Sequence, residues 1–151
     1  MSRAFVNEDH AQTSQAAERR ISDQPNYVTP RGLAQLQARL RELQAAGNDP
    51  ADSQRLADIH YFSQRVQSAQ VVQPSSHDKV QIGSRVTYSD EDGVEQQVCL
   101  VGEDEADATQ GLINWGSPLG RALIGARVGD EVVWKRPVGE MPIEVIAIDL
   151  A

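Results

Sequence analysis

The chain is poor in the residues that most often announce chemistry. One cysteine, Cys99, stands among 151 residues, which excludes an internal disulfide and any multi-cysteine zinc site. The three histidines, His10, His60 and His77, lie far apart in different segments. None has metal-ligand spacing, and they read as surface residues. No Ser/His/Asp spacing suggests a nucleophile, and no glycine loop fits a phosphate cradle. No apolar run approaches the ~18–20 residues of a membrane span, and the N-terminus lacks an apolar signal core. Positive charge is short as well: 14 Lys+Arg face 22 Asp+Glu, a net charge of −8. That excludes a protein that coats nucleic acid by neutralising its phosphates. A cytoplasmic protein of one domain or two small ones is the expectation, with 40% apolar residues to build a modest core.

The acidity is unevenly spread. Residues 1–25 carry three Arg against four acids, residues 26–73 five Arg against four, and residues 74–151 six Lys+Arg against fourteen. A near-neutral segment followed by an acidic one points to two functional surfaces. Residues 1–25, rich in Gln, Ser, Ala and charge, read as a disordered tail with at most a weak helix over Gln15–Arg20.

Residues 26–73 read as an antiparallel helical hairpin, a short coiled coil. Thr29 can cap free backbone N–H groups and Pro30 is pre-set for a first helical turn. Leu33, Leu36, Leu40 and Leu43 follow at heptad spacing. Gly47 and Asn48 suit a helix end. Asp49-Pro50 repeats the cap-and-proline pattern, followed by an apolar stripe at Leu56, Ile59, Phe62, Val66 and Ala69. From Ser75 the period changes to two. Ile82, Val86 and Tyr88 lead to an Asp92-Gly93 turn and a return strand Val94–Val101. Leu112–Trp115 reads as a short strand, and Ser117-Pro118 starts a short helix ending at Gly125. Glu131–Arg136, a tight connection over Pro137–Met141, and Ile143–Leu150 close the chain. Residues 74–151 are thus expected to form a small, mostly antiparallel sheet with one helix against it, making the chain α+β.

This arrangement resembles the GreA/GreB family of bacterial transcription elongation factors. The likeness rests on Asn26-Tyr27-Val28-Thr29-Pro30-Arg31-Gly32-Leu33, on Ser68–Val72, and most strongly on Val101-Gly102-Glu103-Asp104-Glu105-Ala106-Asp107. Ser117–Gly125 and Val128-Gly129-Asp130 continue it. The resemblance implies an FKBP-like C-terminal domain docking on RNA polymerase at the mouth of its secondary channel. It also implies a coiled coil whose acidic tip supports a metal at the polymerase active centre, so that the polymerase cleaves its own backtracked transcript. The factor would need no cofactor of its own, Mg²⁺ belonging to the polymerase, and would meet nucleic acid only within the transcription complex. Here the arms are shorter than the family's by roughly ten residues each, ~15 Å of reach. That shortening is similar to a related branch, the regulators of nucleoside diphosphate kinase.

Each candidate site has a structural alternative. The tip acids Asp49 and Asp52 could face a hard cation, or serve as helix-start residues. Ser117, Pro118 and Arg121 could bind the polymerase, or cap a helix. Arg31, Arg39, Arg41, Arg55 and Arg65 could face RNA or protein, or form a solvated face with partners such as Arg39–Glu42 and Arg55–Asp58. Cys99 reads as a packed strand thiol. A prolyl isomerase, the enzymatic alternative on such a fold, would need an aromatic-walled pocket, and residues 74–151 offer only Tyr88, Trp115 and Trp134.

Overall fold

The computed structural model describes residues 19–47 and 52–150. They divide into two compact units, one of residues 19–25, 34–47 and 52–68, the other of 26–33 and 69–150. Two helices of equal length dominate the first unit. Helix α1 spans Pro30–Ala45 and helix α2 spans Ser53–Ser68. Thr29 opens α1 as expected, its hydroxyl accepting the Gly32 N–H at 3.0 Å. Of the leucine seam, Leu36 and Leu43 are buried, while Leu33 and Leu40 are half-buried.

The second helix departs from expectation in three ways. Asp49 and Pro50 lie outside the described residues, and α2 begins at Ser53 with Asp52 as its cap. The Asp52 carboxylate accepts the Arg55 N–H at 3.0 Å and pairs with the Arg55 Nε at 3.3 Å. The Arg55–Asp58 pair does not form: Asp58 instead takes the Gln54 side chain at 3.1 Å and Arg19 at 3.5 Å. Nor do Arg55 and Arg65 sit on a solvated face, since both are buried. For Arg55 the cause is local. Its Nη1 donates to the carbonyls of Leu43 and Gly47, at the end of α1 where carbonyls lack intrahelical partners and a cation is favoured. The buried positions of α2 are Arg55, Tyr61 and Arg65, whereas Leu56 in the expected stripe is exposed. Arg39 pairs with Glu42 at 3.4 Å as anticipated. Residues 1–18 of the expected tail lie outside the described residues. Of the rest, Arg19 sits 4.0 Å above the Tyr61 ring.

The second unit is built on a five-stranded sheet. Its strands are β3 (Ser84–Ser89), β4 (Glu95–Val101), β5 (Leu112–Asn114), β6 (Glu131–Arg136) and β7 (Gly139–Leu150). They are ordered β5-β4-β3-β7-β6. All neighbours run antiparallel except β4 and β5. The Asp92-Gly93 turn forms as expected, with the Asp90 carboxylate accepting the N–H groups of Asp92 and Val94 at 2.9 Å. The connection after β6 is shorter than Pro137–Met141, because β7 already begins at Gly139. Pro142 is tolerated inside it because β3 reaches β7 only from Glu144 onward, leaving one ladder rather than two at that point. One sheet face, with Val86, Leu100, Ile143 and Val145, packs against Leu119 and Leu123 of helix α3 (Pro118–Leu123).

A second, two-stranded ladder was not visible in the sequence. β1 (Tyr27–Val28) pairs parallel with β2 (Gln70–Val71), Tyr27 opposite Gln70 and Val28 opposite Val71. Gly102 lies so close beneath the Tyr27 carbonyl that a Cβ there would overlap it, which explains the glycine after Val101. No helix among the described residues is long and apolar enough to cross a membrane.

Candidate functional site

Helix α3 places three of the candidate residues, and it gives them different tasks. Ser117 is extended, with φ −70° and ψ 164°, and its side chain accepts the Gly120 N–H at 3.1 Å. The same hydroxyl donates to the Asn114 carbonyl at 2.7 Å. Ser117 is therefore a cap that ties α3 to the end of β5. Pro118 follows at the first helical position and is exposed. Gly120 is required by close approach, since a Cβ would stand 2.5 Å from the Asn114 carbonyl oxygen. Arg121 is exposed, its Nε donating to the Gly116 carbonyl at 2.9 Å.

Pro118 and Arg121 share a shallow cavity of about 570 Å³ with Gly116, Ala122, Val133 and Lys135. Val133 and Lys135 were not singled out in the sequence. The available signal was the alternation of β6, which turns Glu131, Val133 and Lys135 outward and Val132, Trp134 and Arg136 inward. The face combines an exposed valine and a proline with two cations, on a segment where acids outnumber bases. Such a surface suits a protein partner with apolar and acidic groups.

Of the two tip acids only Asp52 lies among the described residues. Asp52 is committed to Arg55 and to the start of α2, and Asp49 lies outside the described residues. Among the described residues no group of three or more His, Cys, Asp or Glu side chains could hold a metal. His77 contacts the Ile148 carbonyl at 3.1 Å.

The most conspicuous polar contact lies elsewhere in the second unit. Glu105 is buried, and its Oε1 accepts the Thr29 hydroxyl at 2.5 Å. Its Oε2 stands 3.9 Å from Arg31. The acidic motif after Val101 thus meets the first turn of α1. Cys99 lies on the sheet face opposite the core, and burial, followed by the nearby Glu105 charge, pushes its thiol pKa up.

Residues 74–150 match the family model described as transcription elongation factor, GreA/GreB, C-terminal. The chain is 36% identical over 152 residues to transcription elongation factor GreB of Neisseria meningitidis serogroup B, covering 82% of this chain and 93% of that protein. It is 32% identical over 149 residues to transcription elongation factor GreA of Ruegeria pomeroyi, covering 81% and 96%. Among solved structures it is similar to GreA factor homolog 1 of Thermus thermophilus, with 23% identity, a TM-score of 0.43, and coverage of 83% and 99%.

Proposed function

Because the chain belongs to the GreA/GreB family of transcription elongation factors, we propose that it binds bacterial RNA polymerase at the secondary channel and modulates elongation, with weak or absent stimulation of transcript cleavage. The family match over residues 74–150 carries this reading. In it the 74–151 domain is FKBP-like and docks through Pro118 and Arg121, with Ser117 holding the helix that presents them. Residues 26–73 act as a short antiparallel hairpin. The protein is not itself an enzyme, has no cofactor, works in the cytoplasm, and meets nucleic acid and Mg²⁺ only within the transcription complex.

Reach argues for weak cleavage. A helix of 16 residues spans ~24 Å at 1.5 Å per residue. The alignment with GreB runs over 152 positions but uses 82% of this chain's 151 residues, about 124, so about 28 positions find no counterpart here. A shortened pair of arms would leave such a gap. Mg²⁺ requires oxygens at ~2.0–2.1 Å, and Asp52 is already engaged with Arg55. The same shortness favours the second reading, a non-cleaving polymerase regulator of the nucleoside diphosphate kinase regulator type. A prolyl isomerase is less well supported, since Trp115 packs edge-on against Tyr27 with ring centroids 5.4 Å apart and leaves Tyr88 and Trp134 as the aromatics of the cavity lined by Val98, Ile113 and Leu119.

The deciding experiment is transcript cleavage in a stalled, backtracked elongation complex. Binding to core polymerase with little cleavage is the expected result. Robust cleavage, abolished by Asp49→Asn with the melting temperature intact, overturns the short-arm argument. Absence of polymerase binding overturns the proposal as a whole.

A further inference from the structure

We propose that a cavity on the outer face of the sheet binds a small organic anion, one negatively charged head group on an apolar body. The cavity holds about 580 Å³ between the sheet and the segments around Thr29 and Pro74, a volume within the ~300–1,000 Å³ of small-molecule sites. Val72, Pro74, Leu112 and Leu150 supply apolar wall, and two guanidinium groups, Arg31 and Arg85, line it.

The charge balance points to an anion. Arg85 has no carboxylate within ion-pair distance among the described residues, although Asp149 lies opposite it in the β3–β7 register. Arg31 has only Glu105, at 3.9 Å. Glu105 is the one acid lining the cavity, and one of its two oxygens, Oε1, is occupied by the Thr29 hydroxyl. Residues 74–151 hold fourteen acids against six bases, yet this cavity lacks a carboxylate for Arg85. Guanidinium groups match carboxylate and phosphate oxygens in planar, two-point fashion. Both arginines act at one place, since each lowers the pKa of the Cys99 thiol against the opposing effects of burial and Glu105. Cys99 stands opposite Arg85 in the β3–β4 register. None of the cavity's residues belongs to the α3–β6 face, so the site does not rest on the polymerase reading.

Because Cys99 is the only cysteine and lines the cavity, its alkylation by neutral N-ethylmaleimide reports occupancy in the full chain. Phenyl phosphate or benzoate should slow alkylation at least about threefold, with half-protection near or below ~1 mM, and the tighter of the two identifies the head group. Arg85→Gln and Arg31→Gln, both at exposed positions, should each raise the half-protecting concentration. Arg85→Gln should do so about tenfold, with circular dichroism unchanged, and Arg85→Lys should recover part of the loss. No protection by either anion at ~10 mM overturns the proposal. So does equal protection by phenol, which has no charged head, or by inorganic phosphate, which has no apolar body. Undiminished protection in both glutamine variants overturns it too.

Discussion

Glu105 shows how much one carboxylate can hold in place. It receives the hydroxyl that caps α1, and it does so buried, so removing it strands a buried donor. Glu105→Ala should therefore destabilise the fold by ~1–3 kcal/mol, and Glu105→Gln by less because an acceptor oxygen remains. Denaturant midpoints of the two variants measure the difference. Cys99 sets a pH dependence of definite sign. Its folded pKa lies above the ordinary thiol value, so the unfolded chain loses that proton first. The group's contribution to stability is intact below about pH 8.5 and is lost as pH rises through the folded value. Comparison of wild type with Cys99→Ala between neutral and strongly alkaline pH should show the wild type losing more stability.

The leucine seam of α1 is unequal, and its variants should rank accordingly. Leu36→Ala, at a buried position, should cost ~2–5 kcal/mol, and Leu40→Ala, at a half-buried one, clearly less. Equal melting temperatures would contradict that order. At the junction of α1 and α2, Arg55→Met keeps an apolar stem but leaves the Leu43 and Gly47 carbonyls and Asp52 without their shared partner. A loss of ~1–3 kcal/mol is expected, read by thermal melting monitored at the helical signal. Strands β3, β4 and β6 and the three α-helices among the described residues were legible because alternation, heptad spacing and cap residues extend over several positions. The buried Arg55 was not: charged residues are rarely interior unless paired, and its carbonyl partners carry no sequence mark. The two-residue strands β1 and β2 are too short for any period to register. Val133 and Lys135 joined the candidate face only because α3 folds beside β6, a long-range contact that local spacing does not encode.

For the molecule as a whole, the proposed docking face can be tested without reference to cleavage. The full chain should compete with a long-armed Gre factor for core RNA polymerase. A charge reversal at Arg121 or Lys135 should weaken that competition about tenfold, in line with the ~1.4 kcal/mol that one favourable charge contact at an interface can supply. Undiminished competition by both variants would move the docking face elsewhere. The parallel pairing of Tyr27–Val28 with Gln70–Val71 carries an evolutionary consequence. The helical stretch begins and ends on adjacent strands, ~4.8 Å apart, so this pairing fixes where the stretch departs and returns. Matched deletions or insertions in both helices leave that register untouched. Helix length is then a heritable variable, and a single ancestral scaffold could yield descendants with long and short helices by paired trimming alone.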